Sequence, residues 1–271
     1  MKKCLSIVIL LVVFQTANAQ YWFGPKIGIN YVNPIYQEDS YEDELYDVEN
    51  DFDFQFGFAL NYTATDLYSV YTEIIYERMD RRLTNKESNP ILSVSNASNS
   101  FITIPVMLRI SLGKLPFHYY VNGGPKISYW LASKGDVILS SFEENIDPDT
   151  NEVIPLTYKV TFNSKKENGE DVLLMDNPNR LQFGLTAGAG AFFDLATGAR
   201  LMIDFRYTFG HSNLGFDTIG DSFDFPEDLY VESFEYTMNT LSVSVGYLFG
   251  YNAQFKRKGR STDKESNRKK K

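Results

Sequence analysis

The sequence is short of the residues on which many enzymes and small secreted folds depend. It has one cysteine and two histidines in 271 residues. Cys4 lies in a segment that we interpret below as a removable leader, so the mature chain is predicted to have no cysteine. That absence excludes disulfide frameworks, thiol catalysis and cysteine-type zinc sites. After the leader, no apolar run is long enough to predict a membrane-spanning helix.

The first 19 residues have the three parts of a secretory signal peptide. Lys2 and Lys3 form a basic start, and an apolar core follows at residues 5–14. Small residues then precede a cleavage site near Ala19, as signal peptidases require. We therefore expect an exported chain with a membrane or envelope domain over residues 20–249 and a separate tail over residues 250–271.

Strict alternation of apolar with polar or small residues is the strongest pattern in the chain. In residues 52–62, every second position is Phe, Leu or Tyr, and the positions between are Asp, Gln, Gly, Ala and Asn. Strand side chains point alternately to the two faces of a sheet, so this segment predicts a strand with one apolar face. Similar patterns occur at residues 102–112, 181–191, 201–209 and 241–249, and less cleanly near 21–31, 68–80 and 117–131.

The lengths of the connections favour a barrel over a sandwich. Long predicted loops, at 32–51, 83–99, 133–179 and 211–236, alternate with tight turns near 64–67, 113–116 and 196–199. Membrane barrels have short periplasmic turns and longer extracellular loops. The sequence therefore predicts an all-β fold, an eight-stranded antiparallel transmembrane up-and-down β-barrel in the outer membrane with both termini in the periplasm. Pro105 and Pro125 lie inside predicted strands, where we expect bulges because proline cannot donate to the ladder.

Aromatic residues flank the tight turns on the predicted outward face. Amphipathic rings favour the membrane–water interface, so these residues predict a periplasmic aromatic girdle. Its members are Tyr62, Tyr68, Phe117, Tyr119, Tyr247 and Phe249.

Several segments resemble the PorT-like outer-membrane barrel family of Bacteroidota-type bacteria. The stretch "NSFITIPVMLRISLGKLPFHYYVNGGPKISYWL" is similar to that family's central hairpin, with an Ile-Pro-apolar strand, a short turn and a Gly-Pro step. "LQFGLTAGAGAFFDL", "ARLMIDFRYTFG" and "LSVSVGYLFG" resemble its last three strands. The resemblance covers most of residues 21–249 outside the loops and implies the fold. One member of the family is tied to type IX secretion, and no segment here matches that member specifically.

The last predicted strand also resembles the signal that the barrel-assembly machinery recognises in its clients. That signal alternates apolar residues and ends in an aromatic one, here at Leu241, Val243, Val245, Tyr247 and Phe249. Such chains usually end at the aromatic residue, whereas this one continues for 22 residues. We expect the assembly machinery to be a partner during biogenesis and outer-membrane lipid to be one afterwards.

Charged residues at inward positions predict a network inside the barrel. An eight-stranded barrel has an interior that side chains can fill, and an unpaired charge there is costly. Four basic and three acidic residues nearly balance: Lys26, Glu73, Glu77, Arg109, Lys126, Asp204 and Arg206. We expect them to pair as a structural plug, and the alternative is a narrow charge-lined pore.

The connections and the tail differ in charge. Residues 33–51 carry eight Asp or Glu and no Lys or Arg, and residues 211–236 are similarly acidic. Acidic loops are consistent with solvated surfaces, with divalent cations or with a binding partner. The tail carries nine Lys or Arg, so a periplasmic partner or anionic lipid is an alternative to a solubilising overhang. We predict no nucleic-acid partner and no cofactor.

His211 is the only histidine near a predicted outer rim, and it precedes Ser212 and Asn213 directly. An outer-membrane deacylase pattern, His-x-Ser-Asn, separates base and nucleophile by two positions, so that both point to one face of a strand. Adjacent residues point to opposite faces, so the pair cannot form without a bulge. We therefore predict no catalytic residues and a non-enzymatic binding or envelope-structural role. Transport through a narrow channel, a place in a secretion complex and, least favoured, an outer-leaflet hydrolase are the alternatives.

Overall fold

A computed structural model describes residues 20–36, 46–86, 92–114, 116–139, 155–162, 172–175, 178–215 and 234–252. These residues form eleven strands. The strands are β1 (Gln20–Tyr36), β2 (Tyr46–Glu49), β3 (Asp51–Thr63), β4 (Tyr68–Asn85), β5 (Leu92–Lys114), β6 (Phe117–Leu139), β7 (Leu156–Phe162), β8 (Val172–Met175), β9 (Leu181–Asp194), β10 (Ala199–Gly210) and β11 (Tyr236–Asn252).

Eight of the strands pair edge to edge in a closed antiparallel ring. The order around the ring is β1, β3, β4, β5, β6, β9, β10 and β11, and β11 pairs with β1 from Gln20–Asn252 to Tyr36–Tyr236. The predicted all-β antiparallel architecture is confirmed. The other three strands extend the sheet at one end of the ring: β2 pairs with β4, β7 with β6, and β8 runs parallel to β7.

The two ends of the ring differ in their connections. At one end, short turns join β3 to β4, β5 to β6 and β9 to β10, and the first and last strands also end there. Gly113 and Gly198 adopt positive φ at two of these turns, a conformation that glycine reaches without steric cost. At the other end lie the longer connections and the three additional strands. We call these the turn end and the long-strand end.

The strands at the long-strand end continue further than the sequence predicted. Residues 92–99 and 133–139 were expected in loops but belong to β5 and β6, which have 23 residues each. The inward side chains of this extension explain the difference. Leu83, Ala97 and Val137 are buried, so the strands persist because they enclose an apolar layer.

The outside of the ring is apolar and its inside is polar, the reverse of a water-soluble β-protein. On β3 the outward residues from Phe52 to Leu60 are 42–69% exposed, whereas inward Asp53, Gln55 and Asn61 are buried. A twelve-residue strand such as β10, tilted as in small barrels, rises about 30 Å, the thickness of a hydrocarbon core. A continuous apolar surface of this height requires lipid rather than water around it.

The prediction of bulges at Pro105 and Pro125 is wrong. Pairing is interrupted beside Pro25, Pro105 and Pro125, but the register on either side is unchanged. The ladder therefore tolerates the missing N–H groups without inserting a residue. A register shift occurs instead between Ser100 and Phe101, opposite β6, where the strands leave the apolar belt.

Glycines on the inner face of β9 make room for polar side chains from β6. A Cβ atom at Gly190 would lie 2.3 Å from the Ile203 carbonyl oxygen and 2.4 Å from the Tyr120 hydroxyl. At Gly188 it would lie 2.9 Å from Asn122 Oδ1. The lack of side chains on this strand therefore positions the β6 groups that reach into the interior.

We expect Gly190→Ala to lower the free energy of unfolding by about 1–3 kcal/mol, the usual cost of overpacking a filled interior. The measurement is urea unfolding in detergent micelles, followed by fluorescence of the buried Trp22 and Trp130. Ala189→Val is the matched control, because Ala189 is exposed on the outer face of the same strand. Equal stability of the two variants would contradict this account of the glycines.

Candidate functional site

The interior of the ring contains all seven charged residues that the sequence placed at inward positions. They come from β1, β4, β5, β6 and β10, and each is at most 8% exposed. A cluster of buried residues that includes Tyr71, Met107, Tyr120 and Met202 also lies inside the ring, and the charged side chains meet across the ring beside it. The interior is the candidate functional site because it is where the fold concentrates buried charge.

Four of the seven residues form a compact tetrad of two cations and two carboxylates. Lys26 Nζ lies 2.6 Å from Glu73 Oε1 and 3.1 Å from Asp204 Oδ2. Arg206 binds the same two carboxylates, with Nη1 2.9 Å from Glu73 Oε2 and a second contact to Asp204. Each charge therefore has two partners of opposite sign, which is the condition under which buried ions are tolerated.

Neutral groups complete the hydrogen bonding of the tetrad carboxylates. The Tyr71 hydroxyl donates to Glu73, and the Tyr120 hydroxyl donates to Asp204 Oδ1 at 2.8 Å. Asn122 Nδ2 donates to the same oxygen at 3.3 Å. Because a buried carboxylate is costly when its lone pairs are unfilled, these donors make the tetrad a connected network rather than two separate ion pairs.

A second ion pair lies towards the long-strand end. Lys126 Nζ is 2.8 Å from Glu77 Oε1, and the Thr103 hydroxyl donates to the same carboxylate. Thr103 Oγ1 lies 2.8 Å from Ser128 Oγ, which extends the hydrogen-bonded chain to β6. This pair is separate from the tetrad.

Arg109 departs from the expectation that every interior charge pairs with an opposite one. In the described part of the chain it makes no ion pair. Its guanidinium instead lies between two rings, 3.7 Å from the centroid of Tyr71 and 3.8 Å from that of Tyr120. Stacking of a planar cation on aromatic faces replaces the carboxylate, an arrangement open to arginine and less so to lysine.

Sequence reasoning missed two further buried arginines. Arg200 pairs with Asp194, Nε to Oδ1 at 2.7 Å, and stacks on Trp22 and Phe192 at the turn end. Arg81 donates to the Tyr36 hydroxyl at 2.9 Å and to Ser95 Oγ at 2.8 Å at the opposite end. The period-two alternation could have identified both residues. Arg200 is at an inward position of β10, and Arg81 is at an inward position of β4.

Apolar side chains close the interior at the long-strand end. Trp130, Leu83, Val137, Phe234 and Tyr236 are all fully buried there. They belong to one cluster, which we call the apolar layer; its other members are Val32, Tyr36, Tyr46, Met79, Phe101, Tyr158, Val160 and Leu214. Between this layer and Lys126 lies a cavity of about 40 Å³, room for only a few waters.

The six residues of the predicted girdle lie at the turn end, on the outer face of the ring. Tyr68, Phe117, Tyr119, Tyr247 and Phe249 are 38–65% exposed, and Tyr62 is partly exposed. Tyr62 packs on Tyr21, with ring centroids 5.2 Å apart, and Phe117 packs on Phe193 at 4.8 Å. An interfacial role for these rings remains a prediction.

The strand proposed as an assembly signal is β11, the strand that closes the ring. Its outward residues are Leu241, Val243, Val245, Tyr247 and Phe249. The strand continues beyond Phe249 to Asn252, which pairs with Gln20. Its recognition by the assembly machinery remains a prediction.

The His211–Ser212 stretch lies just beyond β10. The His211 amide donates to the Phe183 carbonyl oxygen at 3.1 Å, and Ser212 Oγ accepts from the Phe183 amide at 3.1 Å. The serine hydroxyl thus links the beginning of β9 to the segment that follows β10 through this hydrogen bond. The structure records no side-chain hydrogen bond between His211 and Ser212, so these two residues do not form a nucleophile–base pair as they stand.

The described residues contain neither a metal-binding cluster nor a membrane-spanning helix. No group of three or more His, Cys, Asp or Glu side chains there could hold a metal ion. None of the described residues belongs to a helix long and apolar enough to cross a membrane. The predicted acidic loops lie largely outside the described residues, as does most of the basic tail.

Removing one tetrad carboxylate should be strongly destabilising. Glu73→Gln leaves Lys26 and Arg206 sharing Asp204 alone, and we expect a loss of about 3–5 kcal/mol in the free energy of unfolding. Glu49→Gln is the matched control because its pair with Arg82 is about half exposed, where such pairs are worth about 0–1 kcal/mol. Urea titration in lipid vesicles measures both. A loss at Glu73 no larger than that at Glu49 would show that the tetrad does not hold the strands together.

Known proteins place the chain in a family. The family model for the outer membrane protein beta-barrel domain matches residues 15–215. No curated protein matches the sequence. Among solved structures, the outer membrane protein OprG from Pseudomonas aeruginosa is 12% identical, covers 88% of this chain and 98% of its own, and has a TM-score of 0.48.

Two further solved structures are more distant. Ail, the attachment invasion locus protein of Yersinia pestis, is 13% identical over 84% of this chain and 98% of its own, with a TM-score of 0.34. Neisserial surface protein A is 10% identical over 86% and 98%, with a TM-score of 0.35. The assignment rests on the family model, which matches well over half of the chain: the protein belongs to the outer membrane protein beta-barrel domain family, and its place is the outer membrane.

Proposed function

We propose that the protein is a closed, non-enzymatic barrel of eight membrane-crossing strands with an envelope-structural or binding role. The observation that carries this proposal is the filled interior. Ion pairs occupy its middle, and the apolar layer occupies its long-strand end. A barrel filled in this way supports binding at its ends rather than passage through its centre.

The orientation follows from the difference between the two ends. Short turns of outer-membrane barrels face the periplasm and longer connections face outside. Gln20 and Asn252 pair at the turn end, which favours a periplasmic position for both termini after cleavage near Ala19. The long-strand end, with the adjoining acidic connections, is then the surface exposed outside the cell.

The hydrolase alternative has little support from the geometry. Ser212 Oγ accepts a hydrogen bond from a backbone amide, and His211 is exposed. A nucleophilic serine needs a base within hydrogen-bond reach, and His211 does not supply one to Ser212. The non-enzymatic proposal therefore keeps this stretch as a strand-end link between β9 and β10.

A place in the PorT-like branch is part of the same proposal. The two prolines on which the resemblance depends lie at adjacent levels of the β5–β6 hairpin, because Pro105 pairs with Lys126, the residue after Pro125. Pairing between β5 and β6 is interrupted at Pro125, whereas the interruption at Pro105 is in its pairing with β4. The resemblance supports the fold of that branch and leaves the secretion role of its one member outside this proposal.

The filled interior predicts that the protein forms no steady channel. We expect planar bilayers that contain the full mature chain to show no conductance steps above those of protein-free bilayers. Insertion is checked on the same samples by heat-modifiable mobility on gels and by resistance of the barrel to added protease. Stable single-channel steps from an inserted, folded sample would favour the narrow-pore alternative and overturn the plugged barrel.

The basic segment 253–271 is proposed to contact a periplasmic partner or anionic lipid. Truncation belongs after Asn252, because Tyr251 and Asn252 still pair with Tyr21 and Gln20 in the ring. If the segment is a docking arm, affinity capture from detergent-solubilised membranes should lose specific envelope proteins upon truncation. A variant with its basic residues changed to glutamine separates charge from length. If the wild type, the truncated chain and the glutamine variant all capture the same proteins, the segment has no docking role and is a solubilising overhang.

A further inference from the structure

The outer face of the long-strand end changes abruptly from apolar to polar. An outward apolar row on β4, β5 and β6 consists of Tyr76, Ile102 and Tyr129, which lie side by side in register. Two rows further on, Asp80, Ser98 and Lys134 are aligned across the same strands. Four strand residues at barrel tilt rise about 10 Å, so this polar row lies at the level of lipid headgroups.

An open depression of about 530 Å³ lies on this face. Eight of its lining residues can donate hydrogen bonds, and six of these are not buried: Arg78, Arg82, Asn96, Ser98, Lys134 and Thr157. We call this group, together with the neighbouring Lys159, the basic shelf. Guanidinium, ammonium, amide and hydroxyl donors converging on one open surface are the chemistry that recognises phosphate.

Two lysines of the shelf face each other without a carboxylate between them. Lys134 on β6 and Lys159 on β7 are direct cross-strand partners, and both are exposed. Neither makes an ion pair within the described part of the chain. Like charges placed directly opposite on neighbouring strands repel, so this arrangement favours an anion that both can contact.

The acidic groups of the shelf already have other partners. Asp80 accepts two hydrogen bonds from Arg78, and Glu49 lies 3.3 Å from Arg82. Asp136 accepts from Asn96 Nδ2 at 2.9 Å. Asp51 also lines the depression and accepts a hydrogen bond from the Phe52 amide. Lys134 and Lys159 are the shelf cations that have no ion-pair partner among the described residues, so they are the groups we expect to attract an anionic ligand.

We propose that the basic shelf binds phosphate groups of the surrounding outer-leaflet lipid, with Lys134 and Lys159 sharing one phosphate. The inference rests on the proposed function, because it requires the long-strand end to face outside. Continuity with the apolar belt selects a lipid as the source of the phosphate. The acyl chains pack on Tyr76, Ile102 and Tyr129, and the headgroup then reaches the shelf directly above them.

The test uses the full mature chain in phosphatidylcholine nanodiscs that contain a small fraction of diphosphoryl lipid A. Native mass spectrometry measures the lipid retained by the protein, compared with lipid A from which both phosphates have been removed. We expect the wild type to retain the phosphorylated form preferentially. Lys134→Gln with Lys159→Gln should lower that preference about fivefold per lysine, the equivalent of about 1 kcal/mol each near a lipid surface.

Asp80→Asn supplies a variant with the opposite expected sign. It removes a carboxylate that engages Arg78, so the preference for phosphorylated lipid A should rise. The two lysines are exposed and make no ion pair, so the double variant is expected to fold as the wild type does, which heat-modifiable mobility verifies. A folded double variant with unchanged preference, or a preference abolished equally by soluble inorganic phosphate, would overturn the lipid assignment. Failure of the wild type to insert at all would instead overturn the proposed function.

Discussion

Pairing of β1 with β11 is the constraint on which the rest of the structure depends. In hydrocarbon no water is present to satisfy a backbone N–H or C=O group, so a sheet in a membrane must have no free edge. The register from Gln20–Asn252 to Tyr36–Tyr236 removes that edge over the whole height of the ring. The apolar outer face, the polar interior and the confinement of the sheet's remaining edges to the long-strand end all follow from this closure.

Closure also determines how the interior is filled. Inward positions are shielded from lipid and too confined for bulk water, so each interior charge needs a partner from another strand. The tetrad meets this need by joining β1, β4 and β10, which are far apart in sequence. Buried ion pairs add little stability over apolar packing, yet breaking one is costly. We therefore interpret the network as holding the interior side chains in one arrangement. Arg109 and Arg200 contribute by stacking on aromatic rings.

A filled centre moves the functional surfaces to the ends of the barrel. At the long-strand end, β4, β5 and β6 continue beyond the apolar belt, with the apolar layer on their inner face and the basic shelf on their outer face. The same strands thus close the interior and carry polar groups beyond the apolar belt. At the turn end, outward aromatic rings lie near the point where β1 begins and β11 ends. This division of surfaces is consistent with a role in binding at the envelope.

The period-two alternation was sufficient to predict the eight ring strands, their apolar face and the inward parity of all seven charged residues, because each of these properties is local. It did not predict β2, β7 or β8, which lie within predicted loops. Local pattern also explains why Arg81 and Arg200 could have been found. It could not show that Arg109 would stack between Tyr71 and Tyr120 instead of pairing, or that the bulge would lie at Ser100–Phe101. The sequence by itself determined the eight ring strands and their apolar outer face, since both depend on side-chain order along one strand. Only the tertiary structure decided which charges pair, how far the strands extend and where the two shelf lysines meet, since these depend on register between strands.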